Sequence, residues 1–413
     1  MNSGRTRAKC NEKGSHWTQS ASFVAVIAML AVTVAHAQVP AEIAARLQKI
    51  GPIVDPSCTA KIYRPLMPPQ EVADQYLEME KTGKPSSQVP LYPGITIERD
   101  VSFGPDPKDV VDIFHAEKGP ALRTVLIFVP GGAGNKIELQ DKEANSFYDN
   151  IMRWATKNGM VGIMMQRHDV APGAPPDFYA GAKDVSAMLQ WVETNISKYQ
   201  GNPARMFIWA HSAGNGPLGI YAGHPELYGP KGIGVNGIVF MSGQFNIIRP
   251  DGSNPAQASA PPGARAFASS GTTCGAGGPI ASDSPIPGKT VGQPGGPNSP
   301  GPPPGGASPT PQIARDEQIK RSSLPGLQAT SAKLFLASAE FDPGIANARP
   351  SGFNQALHDE LCKLEGANAA DGKGHCPMLV VMKGESHMSE IFSVDTSDKT
   401  VSGAVLAWIK SVR

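Results

Sequence analysis

The segment Arg205-Met206-Phe207-Ile208-Trp209-Ala210-His211-Ser212-Ala213-Gly214-Asn215-Gly216 runs from bulky apolar residues straight into small ones flanking a serine. Such a change predicts a strand, a very tight turn and a helix start. A serine presented on that turn has a strained backbone, and the strand before it crowds the helix after it, so its neighbours must be small. The pattern is G-x-S-x-G with Ala210 in place of the first glycine. The chemistry it suits is nucleophilic attack by Ser212 on an acyl carbon, which needs a base for the hydroxyl proton and an acid to orient the base. Taken alone, the same five residues also fit an ordinary strand-to-helix turn with a capping serine.

Two later stretches supply the partners. The apolar run Ala332 to Ala339 ends at Glu340-Phe341-Asp342-Pro343, and the run Met378 to Met382 leads into Gly384-Glu385-Ser386-His387-Met388-Ser389. Ser212, Asp342 and His387 therefore each fall at the carboxyl end of a predicted strand, where a parallel sheet collects its site. His387 is expected to take the proton from Ser212 Oγ and return it to the leaving group, while Asp342 fixes the imidazole's tautomer and stabilises its charged form. Glu340 is the rival acid, and Asp342 is preferred because it lies beyond the strand, in the loop. His211, inside the elbow, is expected to point away from Ser212 Oγ and to serve packing.

The elements that must hold these residues follow from hydrophobic patterning. Residues 38–92 read as an N-terminal helical extension, with runs at Ala41 to Leu47 and near Glu71 to Leu77 that either overlie the site or pack outside it. From Ile95 the texture becomes strand: Ile95 to Val101 alternates, Val110 to Phe114 follows a turn, and Thr124 to Val129 is continuously apolar, as in a strand buried on both faces. Helices near Ser146 to Ala155 and Phe178 to Tyr199, and strands Met160 to Met165 and Gly237 to Met241, alternate with the elbow strand. A helix around Asn354 to Leu364 and a last one from Val401 to Val412 complete the pattern. Alternation of this kind predicts a mostly parallel central sheet with helices on both faces, an α/β class. Residues 250–312 interrupt it with Pro/Gly-rich low complexity, expected as a disordered insertion or, in the sharper reading, a lid.

After the run Thr124 to Val129 comes Pro130-Gly131-Gly132-Ala133-Gly134-Asn135-Lys136. Neither phosphate-binding pattern fits: Lys136 is followed by Ile137 instead of Ser or Thr, and the G-x-G-x-x-G spacing breaks after Gly134. The stretch does match the glycine loop that follows the third strand of α/β-hydrolases. With Ala210 to Gly214, Glu340 to Pro343 and Gly384 to Ser389, it makes residues 95–249 and 315–413 resemble secreted bacterial α/β-hydrolases of the carboxylesterase/lipase type, near the hormone-sensitive-lipase-like and feruloyl-esterase/formamidase-like branches. The resemblance implies an α/β-hydrolase domain over residues 93–413, and an oxyanion hole of backbone N–H groups from Ala213 and from one or two of Gly131, Gly132 and Ala133. It implies a serine carboxylic-ester hydrolase acting through an acyl-enzyme on small or aromatic esters, without metal or cofactor. An arylformamidase or amidase of the same fold is the nearest rival, and a non-catalytic binding protein on the same scaffold is the rival from another class. Pro130 departs from the histidine usual in the loop, and Ala210 from the first glycine.

The amino terminus orders Arg5, Arg7, Lys9 and Lys13, an apolar run Phe23 to Val32, and Ala35-His36-Ala37, the arrangement of a signal peptide cleaved after Ala37. Its run is shorter than the ~20 residues needed to span a bilayer, so a periplasmic or secreted protein with no stable membrane anchor is expected. Without residues 1–37 the balance of 37 Lys+Arg and 36 Asp+Glu becomes a net charge of −2, which gives no electrostatic case for nucleic acid. The expected partner is a small-molecule ester. Of the remaining cysteines, Cys362 and Cys376 are expected to pair, being close in sequence across a polar loop, and Cys58 with Cys274 follows by elimination. The spacing of His358, Cys362, His375 and Cys376 would also allow zinc, but an oxidising compartment favours the disulfide.

Overall fold

The computed structural model describes residues 39–52, 54–67, 92–132, 134–136, 147–168, 177–244, 246–256, 315–342, 352–363 and 376–412. The expected signal peptide, the helical run near Glu71 to Leu77, nearly all of the low-complexity insertion, Ala133, Cys274 and His375 lie outside them.

Eight strands form one sheet: β1 (Ile95–Ser102), β2 (Val110–Ala116), β3 (Arg123–Val129), β4 (Val161–Met165), β5 (Gly201–His211), β6 (Gly237–Met241), β7 (Lys333–Phe341) and β8 (Met378–Ser386). Their spatial order is β1-β2-β4-β3-β5-β6-β7-β8. β3 through β8 pair in parallel, as the strand-helix alternation predicts, whereas β1 with β2 and β2 with β4 are antiparallel. The short Gly104-Pro105-Asp106 turn explains the antiparallel edge, because a parallel return needs a crossover of a dozen or more residues. After β3 the chain steps outward to β4 and then returns to lay β5 on the other side of β3. That reversal opens a crevice at the carboxyl ends of β3 and β5.

The described α-helices are α1 (Ala41–Ile50) and α2 (Pro56–Tyr63) before β1, then α3 (Asp149–Lys157), α4 (Ala180–Asn195), α5 (Asn215–Gly223), α6 (Arg315–Lys320), α7 (Leu324–Ala329) and α8 (Gly352–Cys362) between strands, and α9 (Ser389–Phe392) and α10 (Thr400–Ser411) after β8. Val125, Ile127, Ile208 and Ala210 pack with Val185 and Met188 of α4 and Leu218 of α5. The alternate residues Leu126, Phe128, Phe207 and Trp209 pack with Ile151 of α3 and Val405 and Trp408 of α10 on the opposite face. Both faces of β3 are thus sealed, which is why its sequence is continuously apolar rather than alternating.

The described part of the N-terminal extension adds Ile43, Leu47, Ile62 and Tyr63 to the core. α2 starts at Pro56 behind Asp55, whose side chain accepts the Cys58 N–H at 2.9 Å. It ends in Tyr63, fully buried, with its hydroxyl donating to Asp398 at 3.0 Å. Gly384 of β8 has φ +80°, and a Cβ there would sit 3.1 Å from Val39. The extension therefore packs on β8 and the loop that follows it.

Candidate active site

Ser212 lies immediately after β5 with φ +52°, in the left-handed region that an L-residue adopts only at a cost. The reason for small neighbours is visible at Gly214, where a Cβ would fall 2.5 Å from Val129 O and 2.7 Å from Pro130 O. The elbow is pressed against the end of β3, and no side chain fits between. Asn215, a residue the motif does not predict, locks the turn: its Nδ2 donates to Ser212 O and Met241 O, both at 2.9 Å.

The three expected residues converge from the ends of three strands. His387 Nε2 is 2.8 Å from Ser212 Oγ, and His387 Nδ1 is 3.0 Å from Asp342 Oδ2. Asp342 follows β7 and His387 follows β8, and both are buried. The turn carrying His387 is held by Ser389, whose Oγ accepts the Ser386 N–H at 2.7 Å and whose hydroxyl donates to Glu385. The rival acid Glu340 is turned elsewhere: its carboxylate takes Lys383 Nζ at 3.0 Å and the Gly384 N–H at 2.8 Å.

The ring bonded to Ser212 Oγ is that of His387, and His211, expected to serve packing, bonds to the backbone of that residue. Its ring lies 4.7 Å from that of His387, and its Nε2 is 2.9 Å from the His387 carbonyl oxygen. A carbonyl only accepts, so Nε2 carries the proton and donates. Burial, aided by the neighbouring His387, pushes the His211 pKa down to about 3, so the ring is neutral. Beside it stands Glu390, fully buried and 3.7 Å from His211 Nε2. Burial first, and then the charge of Asp342, raises the Glu390 pKa well above the carboxylate range.

The glycine loop lies against the nucleophile: a Cβ on Gly131 would be 3.0 Å from Ser212 Cβ. Gly132 has φ +49°, and Gly134 has φ +85°. Ala213 begins the short helical turn Ser212–Gly214 on the other side of the serine. Of the expected oxyanion residues, Gly131 and Ala213 are thus beside Ser212, Gly132 follows Gly131 in the loop, and Ala133 is outside the described residues.

Cys362 and Cys376 form a disulfide with Cα atoms 4.3 Å apart. His358 Nε2 approaches both sulfurs, at 3.4 and 3.7 Å, but sulfurs joined to each other are not thiolate ligands. Cys58 is also disulfide-bonded. Asp109, His168 and Asp184 form a second group near enough to share an ion. Here burial works to lower the His168 pKa, and the bonds and charges of Asp184 and Asp106 outweigh it, so the imidazole is held above its ordinary value.

The sheet order, the reversal at β3 and β5, and the strained serine between them are those of the α/β-hydrolase fold. No protein-family profile matches the chain. A venom carboxylesterase of Apis mellifera is 28% identical over 124 residues, covering 29% of this chain and 21% of that protein. A chlorogenic acid esterase of Aspergillus niger is 33% identical over 109 residues, covering 25% of this chain and 20% of that protein. The matched segment spans about a fifth of either relative's length. Among solved structures, the esterase rPPE has a TM-score of 0.47 at 13% identity, covering 91% of this chain and 98% of that one. The hyperthermophilic esterase of Pyrobaculum calidifontis has a TM-score of 0.45 at 11% identity, with the same coverages.

Proposed function

We propose that the chain is a serine hydrolase of carboxylic esters, with Ser212 as nucleophile, His387 as general base and acid, and Asp342 as the acid that orients it. The observation that carries this reading is a single imidazole within hydrogen-bond reach of a strained serine at 2.8 Å and of a buried aspartate at 3.0 Å. Ser212 Oγ attacks the acyl carbon while His387 Nε2 takes its proton. The carbonyl oxygen becomes an oxyanion that the N–H groups of Ala213 and of the Gly131-Gly132 loop receive. The intermediate collapses as His387 returns the proton to the departing alcohol, leaving an acyl-enzyme. Water, deprotonated by the same imidazole, then releases the acid and restores Ser212. The names of the two curated relatives motivate a panel that includes aryl esters.

The measurement is turnover of p-nitrophenyl and methyl aryl esters, with labelling by a fluorophosphonate, for the full chain and Ser212→Ala. Turnover and labelling that vanish in the variant support the reading. An inert wild type that also fails on aryl formamides and amides refutes it in favour of a binding scaffold. We further propose that the chain is exported, by the basic, apolar and A-x-A order of residues 1–37; the Cys362–Cys376 disulfide supports an oxidising compartment. Amino-terminal sequencing of the protein from its host would return Gln38 first, and an intact Met1 there would refute it.

A further inference from the structure

Arg167 stands just beyond β4 with its side chain buried. Sequence patterning assigns it nothing. Its Nε lies 3.2 Å from Pro130 O, and its Nη2 lies 3.3 Å from Gly131 O and 2.5 Å from Gly132 O. Its backbone N–H donates to Gly134 O at 3.1 Å. One guanidinium therefore gathers three successive carbonyls of the loop beside Ser212. The fit is close: a Cβ on Gly134 would come within 2.3 Å of Arg167 Cγ.

In a planar trans peptide the N–H points opposite to the C=O of the preceding residue. Carbonyls 130 and 131 drawn to the guanidinium therefore turn the N–H groups of Gly131 and Gly132 to the opposite side. Successive N–H groups facing one way make an anion-binding concavity. Gly131, with its Cα next to the Ser212 side chain, places that concavity at the nucleophile. Glycine at 132 and 134 supplies the positive φ values this course requires. Arg167 suits the task because its fork of donors reaches several acceptors at once and stays charged at any working pH.

We propose that Arg167 is the positioning residue of the oxyanion hole: it holds the Gly131 and Gly132 N–H groups toward the oxygen that becomes negative during ester cleavage. The proposal rests on the serine-hydrolase reading, and the charge it places behind the carbonyls also strengthens their N–H groups as donors.

The test uses the full chain, Arg167→Met and Arg167→Lys, with three readouts. The first is kcat and KM on p-nitrophenyl acetate. Loss of one oxyanion donor costs roughly 10²–10³ in kcat, so Arg167→Met is expected to lose about 10²-fold in kcat with KM nearly unchanged, and Arg167→Lys to recover part of it. The second is inhibition by an aryl trifluoromethyl ketone, whose adduct with Ser212 carries the same oxyanion; its affinity is expected to fall in step with kcat. The third is amide hydrogen exchange of the Gly131-Gly132 segment, expected to quicken in Arg167→Met while the elbow segment and thermal midpoint hold. An Arg167→Met protein with wild-type kcat and ketone affinity overturns the proposal. So does a loss of kcat that appears without any loss of ketone affinity. If the wild type neither turns over esters nor labels at Ser212, it is the serine-hydrolase reading that fails, and unchanged exchange in Arg167→Met would then sink the loop assignment separately.

Discussion

Gly214→Ala is the sharpest perturbation the elbow allows. The added Cβ would stand 2.5 Å from Val129 O, 2.7 Å from Pro130 O and 3.1 Å from Val129 C. These are backbone atoms of the strand carrying the glycine loop, so no side chain can swing aside. A carbon against a carbonyl oxygen settles no closer than about 3.3 Å, so the elbow and the end of β3 must part by roughly 0.8 Å. Overpacking of this kind costs about 1–3 kcal/mol of stability. The larger effect is on turnover, because the movement separates Ser212 from Gly131 and Gly132, and a 1 Å misplacement can cost about 10²-fold. Steady-state kinetics on p-nitrophenyl acetate, fluorophosphonate labelling rate and urea unfolding measure the two effects independently. Ala210→Gly is the control: it restores the small residue usual at the first motif position on a side chain that faces the buried core, and should cost about 1 kcal/mol in stability with turnover retained. Wild-type turnover and stability in Gly214→Ala would refute the steric reading of the motif.

The acid assignment predicts that Asp342→Asn lowers kcat by about 10⁴-fold, while Glu340→Gln, removed to Lys383 and Gly384, leaves it near wild type; the reverse ranking would exchange the two roles. His211 predicts an acid-side loss of stability. Its folded pKa of about 3 lies below the ordinary 6.5, so under pH 6.5 the unfolded chain binds a proton that the folded chain refuses. Its contribution is full above 6.5 and falls away toward 3, about 2 kcal/mol being lost by pH 5. Urea unfolding at pH 7 and 5 should show that His211→Asn removes this part of the slope, and an identical slope in both proteins would refute it. Cys376→Ser opens a loop of sequence separation 14 and should lower unfolding free energy by about 3 kcal/mol, read by urea unfolding without reductant; an unchanged midpoint would mean the bond constrains nothing.

What was legible in the sequence was what local pattern encodes. Ser212, Asp342 and His387 could be read because each follows an apolar run that needs only a parallel sheet to bring its end to the others. The buried strands could be read for the same reason, since Val125 to Val129 of β3 and Met206 to Ala210 of β5 are continuous apolar runs. The supporting residues were not legible, because their partners are fixed by register between distant segments. Arg167 meets the glycine loop only because β3 and β4 lie in parallel with Phe128 opposite Met164. Tyr63 meets Asp398 across a sequence separation of 335, so nothing near it hints at the contact. Asn215 is likewise unassigned by the motif, and the signal that could have found it is a polar residue directly after Gly214, at the start of an otherwise apolar helix. Packing is what the tight turn at Ser212 predicts for His211, and its bond to the His387 carbonyl, across a sequence separation of 176, leaves no local signal.

The buried acids behind the base impose a condition on any working site. Asp342, Glu385 and Glu390 all lie close to the turn that carries His387. Burial raises the Glu385 pKa, and the adjacent Asp398 raises it further, while burial and Asp342 do the same to Glu390. Burial thus favours the neutral form of both glutamates, and the carboxylate within hydrogen-bond reach of the imidazole is that of Asp342. A second anion there would hold a proton on the base before substrate arrives, and Ser212 would have nothing to receive its own. Keeping those acids neutral requires that water stay out. Tyr63 does this for Glu385, filling the space beside it and donating its hydroxyl to Asp398 at 3.0 Å. Through Tyr63 the described part of the N-terminal extension thus helps to set the dielectric in which the proposed base would work.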